Sequence, residues 1–174
     1  MLLLFLGCDG SLVHIDVEGS SQTVVEAGSL VEDLLVDFGF GDFVSMDLTA
    51  AQELKDQGVE PGDIVSATMT SFELEALDSQ LDLAFLDSVS LSASAPDVDE
   101  VEMASCSSFP ADTPIVAFEL TGADIAPHIV SKDLTINVDV SGHRPDTDTT
   151  VEARYVVDVG VTAQGVTSAA TSDQ

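Results

Sequence analysis

The sequence has no tryptophan, one tyrosine, two cysteines and four basic residues in 174 positions. Each shortage removes a class of reading. The cations Lys55, Lys132, Arg144 and Arg154 stand against 32 acids, a formal net charge of −28, so nucleic acid and anionic lipid surfaces repel the chain at long range. Aromatics are 5% of the residues, so the interior must be built from valine, leucine, isoleucine and alanine. Cys8 and Cys106 can make one disulfide at most, and without cysteine pairs a zinc centre has little to draw on. The histidines, His14, His128 and His143, are scattered, and no Gly-x-Ser-x-Gly elbow is present. On this ground the chain reads as non-catalytic.

What is present is alternation. Hydrophobic residues make up 45% of the chain, enough for the core of one domain of this length. The most regular stretch is Lys132 to Thr162. Leu134, Ile136, Val138 and Val140 are apolar at every second position, with Thr135, Asn137 and Asp139 between them. Val151, Ala153, Tyr155, Val157, Val159 and Val161 repeat the pattern. A period of two with β-branched residues predicts half-buried strands. The run Ser141-Gly142-His143-Arg144-Pro145-Asp146 breaks them, so the stretch predicts a hairpin whose loop is too long to dictate its register.

Other segments follow. Strands are expected over 11–16 and 22–26, and Gly28 to Asp47 fits a helix and a strand equally well. Thr49 to Gly58 predicts a helix, with Thr49 and Gln52 as a capping box and Gly58 as the C-terminal stop. Ile64 to Leu77 alternates, but its apolar phase switches near Ser71-Phe72, which predicts a β-bulge or a crossing between sheets. A turn of helix is expected within Ser79 to Asp87. Strands are expected over 89–95, 100–105 (at an edge) and 114–120, with 122–130 a connection. The fold class is therefore all-β, mainly antiparallel: a β-sandwich, immunoglobulin-like or similar, with one or two short helical inserts. The expected organisation is a signal-peptide remnant over 1–8, one sandwich domain over 9–164 and a disordered tail over 165–174.

Met1 to Cys8 reads MLLLFLGC. Its apolar run ending Leu4-Phe5-Leu6-Gly7-Cys8 resembles the lipobox of bacterial lipoprotein signal peptides, with Phe5 where leucine is usual and no basic residue ahead of the run. The resemblance implies lipid on Cys8, Asp9 as the second mature residue, export, and residence in the cell envelope on the periplasmic side or at the outer membrane. It also leaves Cys106 as a lone thiol.

The acids are spread among apolar residues, as a solvated surface spreads them. Two groups could do more. Asp97, Asp99, Glu100 and Glu102 gather near a strand end, and Asp146 and Asp148 lie in the turn at 141–148. Carboxylates in turns suit Ca²⁺, which takes six to eight oxygens, although no EF-hand loop is present. Ca²⁺ is the one cofactor these residues suggest. The leading expectation is a non-catalytic, acidic, lipid-anchored envelope sandwich with a binding or structural role, monomeric, touching the membrane by its anchor and not binding nucleic acid. The alternative is a Ca²⁺-binding extracellular adhesion or matrix domain.

Overall fold

The computed structural model describes residues 12–28, 52–78, 82–131 and 134–162. Among them the alternating stripes become two four-stranded antiparallel sheets. The first sheet has the order β1 (Leu12–Val25), β8 (Thr149–Thr162), β2 (Ile64–Ala76), β5 (Ile115–Ala117). The second has the order β6 (Glu119–Leu120), β4 (Val98–Cys106), β3 (Leu86–Ala95), β7 (Thr135–Gly142). Their inner faces share one buried cluster, so the chain is an all-β sandwich; among the described residues it carries two short α-helices, α1 (Gln52–Asp56) and α2 (Ala126–Val130).

β8 organises the first sheet. It pairs with β1 along its whole length and with β2 on its other side. Val151, Ala153, Val157, Val159 and Val161 are buried, as their spacing predicts, and Tyr155 is half-buried against the core. The Tyr155 ring lies in the space that a side chain on Gly19 would fill, so a glycine is needed directly opposite it. On β2 the inward positions are Ala67 and Met69, then Phe72, Leu74 and Ala76. The register shift between Met69 and Ser71 absorbs the change of phase, so the switch is a bulge and β2 stays in one sheet.

The stretch 134–162 is not a hairpin. β7 pairs with β3 in the second sheet, and β8 lies in the first. The connection 143–148 carries the chain across the sandwich. Period-two apolarity says which face a strand buries and nothing about its neighbour; two such faces satisfy each other as well across a core as side by side. The crossing is tied down where Gly28 donates its N–H to the Pro145 carbonyl (3.0 Å) and Ala27 donates to Asp148 Oδ1 (2.8 Å).

Pro114 to Leu120, expected as one strand, is two. β5 joins β2 and β6 joins β4. The change of sheet falls at Phe118, whose N–H donates to the Phe72 carbonyl (3.0 Å) and whose ring packs edge-on to Phe72 (centroids 4.7 Å apart) and Phe109 (6.2 Å). β3 and β4 form a tight hairpin through Pro96-Asp97, with Asp97 at φ 62, a left-handed position that aspartate tolerates. β4, expected at an edge, has β6 beside only Ala104 and Ser105.

α1 falls within the expected helix, with Leu54 fully buried and Gly58 left-handed (φ 67) behind it. The segment 122–130 is more than a connection. Asp124 Oδ1 accepts from Ala126 (3.0 Å) and from Ala67 on β2 (2.9 Å), and Pro127 sits in the first turn of α2, where its missing N–H costs nothing. α2 packs against both β2 and β3 and closes one end of the sandwich. Within 79–87, Leu83 and Phe85 are buried in a single turn closed by the Leu86 N–H on the Leu83 carbonyl (2.9 Å). The expectations for 1–11, 29–51 and 163–174, Cys8 included, lie outside the described residues. No helix among the described residues is long and apolar enough to cross a membrane.

Candidate functional surface

The outer face of the second sheet is built on β3, LDSVSLSASA, where Val89, Leu91 and Ala93 point inward and Ser88, Ser90, Ser92 and Ser94 point out. Neighbouring strands engage three of these hydroxyls. Ser88 and Ser141 share a hydrogen bond (2.6 Å), Ser92 donates to Glu100, and Asn137 Nδ2 bonds both Ser94 Oγ (3.1 Å) and Glu100 Oε1 (3.0 Å). Ser92 first, and Asn137 second, hold the Glu100 carboxyl below its ordinary 4.5 by donating to the charged form. Beside this network lies an open depression of ≈ 440 Å³, lined by Ser90, Cys106, Ser108, Glu119, Asp139 and Ser141 among others. The Cys106 thiol has no disulfide partner among the described residues, is half-buried and donates to the Ser108 carbonyl (3.3 Å).

The outer face of the first sheet is more highly charged. Arg154 on β8 bridges Glu75 on β2 and Glu152 (Nε to Oε2, 2.8 Å), which stand directly opposite each other. Gln22 on β1 donates to Glu152 as well (2.9 Å). Asp16 stands opposite Asp158, and the Asp158 carboxylate takes His14 Nδ1 (2.7 Å). Sequence reading missed these groups because each depends on register. The serine ladder was missed too, since 89–95 was read only as a strand, although the alternation SVSLSASA could have shown it.

Comparison of the chain with protein-family models, with curated proteins and with solved structures returns no match. The surface has to be understood from its own residues.

The residues named as Ca²⁺ ligands fall into two places. Asp97 lies in the β3–β4 turn with Asp99 and Glu100 just after it, and Asp146 and Asp148 lie in the β7–β8 connection. Because Ser94 pairs with Thr135 and Leu86 with Gly142, these places are at opposite ends of β3. Ten residues of strand separate them, about 30 Å. They make no common site. Asp148 is held by the Ala27 N–H and Glu100 by Ser92 and Asn137. Among the described residues no three His, Cys, Asp or Glu side chains are grouped as metal ligands.

The histidines are equally dispersed. His14 lies on the outer face of β1, His143 in the connection after β7, and His128 is buried on α2. His128 Nε2 donates to the Asp99 carbonyl (2.9 Å), a bond that pins α2 to β4, while its buried Nδ1 has no hydrogen-bond partner among the described residues.

Proposed function

We propose that the chain is a non-catalytic module of the bacterial cell envelope, exported, tethered through lipid on Cys8, and acting through its surface. The observation that carries this reading is Leu4-Phe5-Leu6-Gly7-Cys8 directly ahead of β1. From Cys8 to Leu12 the chain can span about 14 Å, so a lipid on Cys8 holds the sandwich close to the membrane by the end where β1 starts. β1 starts opposite Thr162, and β8 ends there, beside the beginning of β2. The 143–148 connection is then the end turned away from the bilayer. The net charge of −28 keeps the domain off anionic headgroups, so the anchor alone supplies membrane contact.

The test is mass spectrometry of protein extracted from membranes. Diacylglycerol in thioether linkage on Cys8 is expected, with Cys8→Ser moving the protein to the soluble fraction. An unmodified Cys8 in protein recovered without detergent overturns the reading.

A further inference from the structure

Each sheet edge leaves backbone groups that must be capped, covered or shared. On β4, Thr121 donates its N–H to the Met103 carbonyl (3.0 Å) and His128 donates to the Asp99 carbonyl (2.9 Å), so the segment leading into α2 caps that edge. β1 has α1 packed against it, and β5 spans three residues. β7 differs. It runs for eight residues, and no described strand pairs with its far side.

The direction of its groups follows from the ladder. His143 donates its N–H across to the Phe85 carbonyl (2.8 Å), so Ser141, Asp139, Asn137 and Thr135, alternating with it, also face β3. The tight turn between Ala95 and Val98 gives the same phase, because it directs Ala95, Ala93, Leu91 and Val89 toward β4. The N–H and C=O groups of Ile136, Val138 and Val140 therefore point to the open edge. The side chains of Val138 and Val140 are only half-buried there, and the residue between them, Asp139, is exposed.

We infer that this edge receives an extended, lysine- or arginine-rich segment of a partner protein as an added strand. Main-chain hydrogen bonds to Ile136, Val138 and Val140 hold it. Its apolar side chains cover Val138 and Val140, and its cations lie beside Asp139 on the outer face. Charge chooses the occupant. A second copy of this chain brings its own −28 to the edge and is repelled, whereas a cationic strand is drawn in. Of the four cations, Lys55 is on α1 and Arg154 is held by Glu75 and Glu152, which leaves Lys132, three residues ahead of β7 in the sequence, and Arg144, just past it, to oppose that attraction against 32 acids.

The inference rests on reading the chain as a binding module, but not on its anchor. A Cys8 without lipid leaves it standing, and a lipidated protein that adds no strand removes it.

The probe is an eight-residue peptide alternating valine and lysine, added to the full chain in about 0.05 M NaCl. Amide exchange at Ile136, Val138 and Val140 is expected to slow about tenfold at saturation. Affinity is expected to fall about tenfold by roughly 0.5 M NaCl. Val138→Pro, which removes an edge N–H and spares the ladder to β3, abolishes binding. N-methylation of the peptide on the residues facing β7 does the same without touching the protein, and N-methylation of the other set does not. Equal binding of a valine–glutamate peptide, indifference to the N-methyl set, or protection of β1 instead of β7 overturns the inference. So does dimerisation in molar salt that Val138→Pro blocks, since the occupant is then a second copy.

Discussion

The change of sheet at Phe118 can be tested through its contact with Phe72. Phe72 is 1% exposed and Phe118 8%, and their rings meet at an interplanar angle of 74° with centroids 4.7 Å apart. Phe72→Leu and Phe118→Leu keep an apolar branched side chain and lose the ring. Each is expected to cost about 1–2 kcal/mol through imperfect filling of the site. Edge-to-face pairing adds about 0.5–1.5 kcal/mol that either substitution removes, so the double variant should be less destabilised than the sum by about 1 kcal/mol. For a chain of this length that coupling is roughly 2–4 °C in melting temperature. The assay is urea unfolding of the four proteins in about 1 M NaCl, where screening keeps the large net charge from dominating the comparison. A coupling under about 0.3 kcal/mol means that the rings act independently. In that case Phe118 is not seated on Phe72, and Pro114 to Leu120 returns to being one continuous strand.

The charge makes its own forecast. With a net −28, the melting temperature should rise by about 5 °C or more between roughly 0.05 M and 1 M NaCl, and a flat profile by differential scanning calorimetry refutes it. Arg154→Gln leaves Glu75 and Glu152 facing each other uncompensated. Because the arginine is 44% exposed, the expected loss is modest, about 0.5–1 kcal/mol at low salt, vanishing in about 1 M NaCl and reversed by Glu152→Gln when urea midpoints are compared. Ser92→Ala should raise the Glu100 carboxyl toward 4.5, read by carbon-detected NMR titration. The sign follows from the direction. A carboxyl lowered in the folded state favours folding above its ordinary value and loses that contribution as pH falls through the folded value, so Ser92→Ala should flatten the acid limb of the stability profile there.

Much of the fold could be read from alternation because a strand's period names its buried face. Val151 through Val161, the bulge before Phe72 and the stop at Pro96-Asp97 all follow from spacing or from turn chemistry. The pairing of strands does not follow, since every valine stripe in this chain suits any other. For that reason the two strands around 143–148, adjacent in sequence, were open to being taken for partners. α2 escaped because its start is made by Asp124 reaching back to Ala67, a contact between residues far apart in sequence. Phe118 escaped for a related reason: PIVAFEL is apolar enough for one strand, and only the Phe118 N–H on the Phe72 carbonyl divides it.

The acids show where sequence reading of the site stops. Both acidic groups lie beside strand ends, and nothing local says which ends are neighbours. The antiparallel pairing of β3 with β7 decides it: the Pro96-Asp97 turn sits where β7 begins, and Asp146 and Asp148 follow where β7 ends. A sheet built with β7 parallel to β3 would have brought the same residues together. The reversal separates them by the length of a strand, about 30 Å, beyond the reach of any one ion's ligands. Between them lie the outer serines, already engaged by Glu100, Asn137 and Ser141, and the edge of β7, whose groups are directed outward. Of these features, the edge is the one whose hydrogen bonds within the described chain are still to be made, so strand addition has more to gain there than ligand binding has at either acidic end.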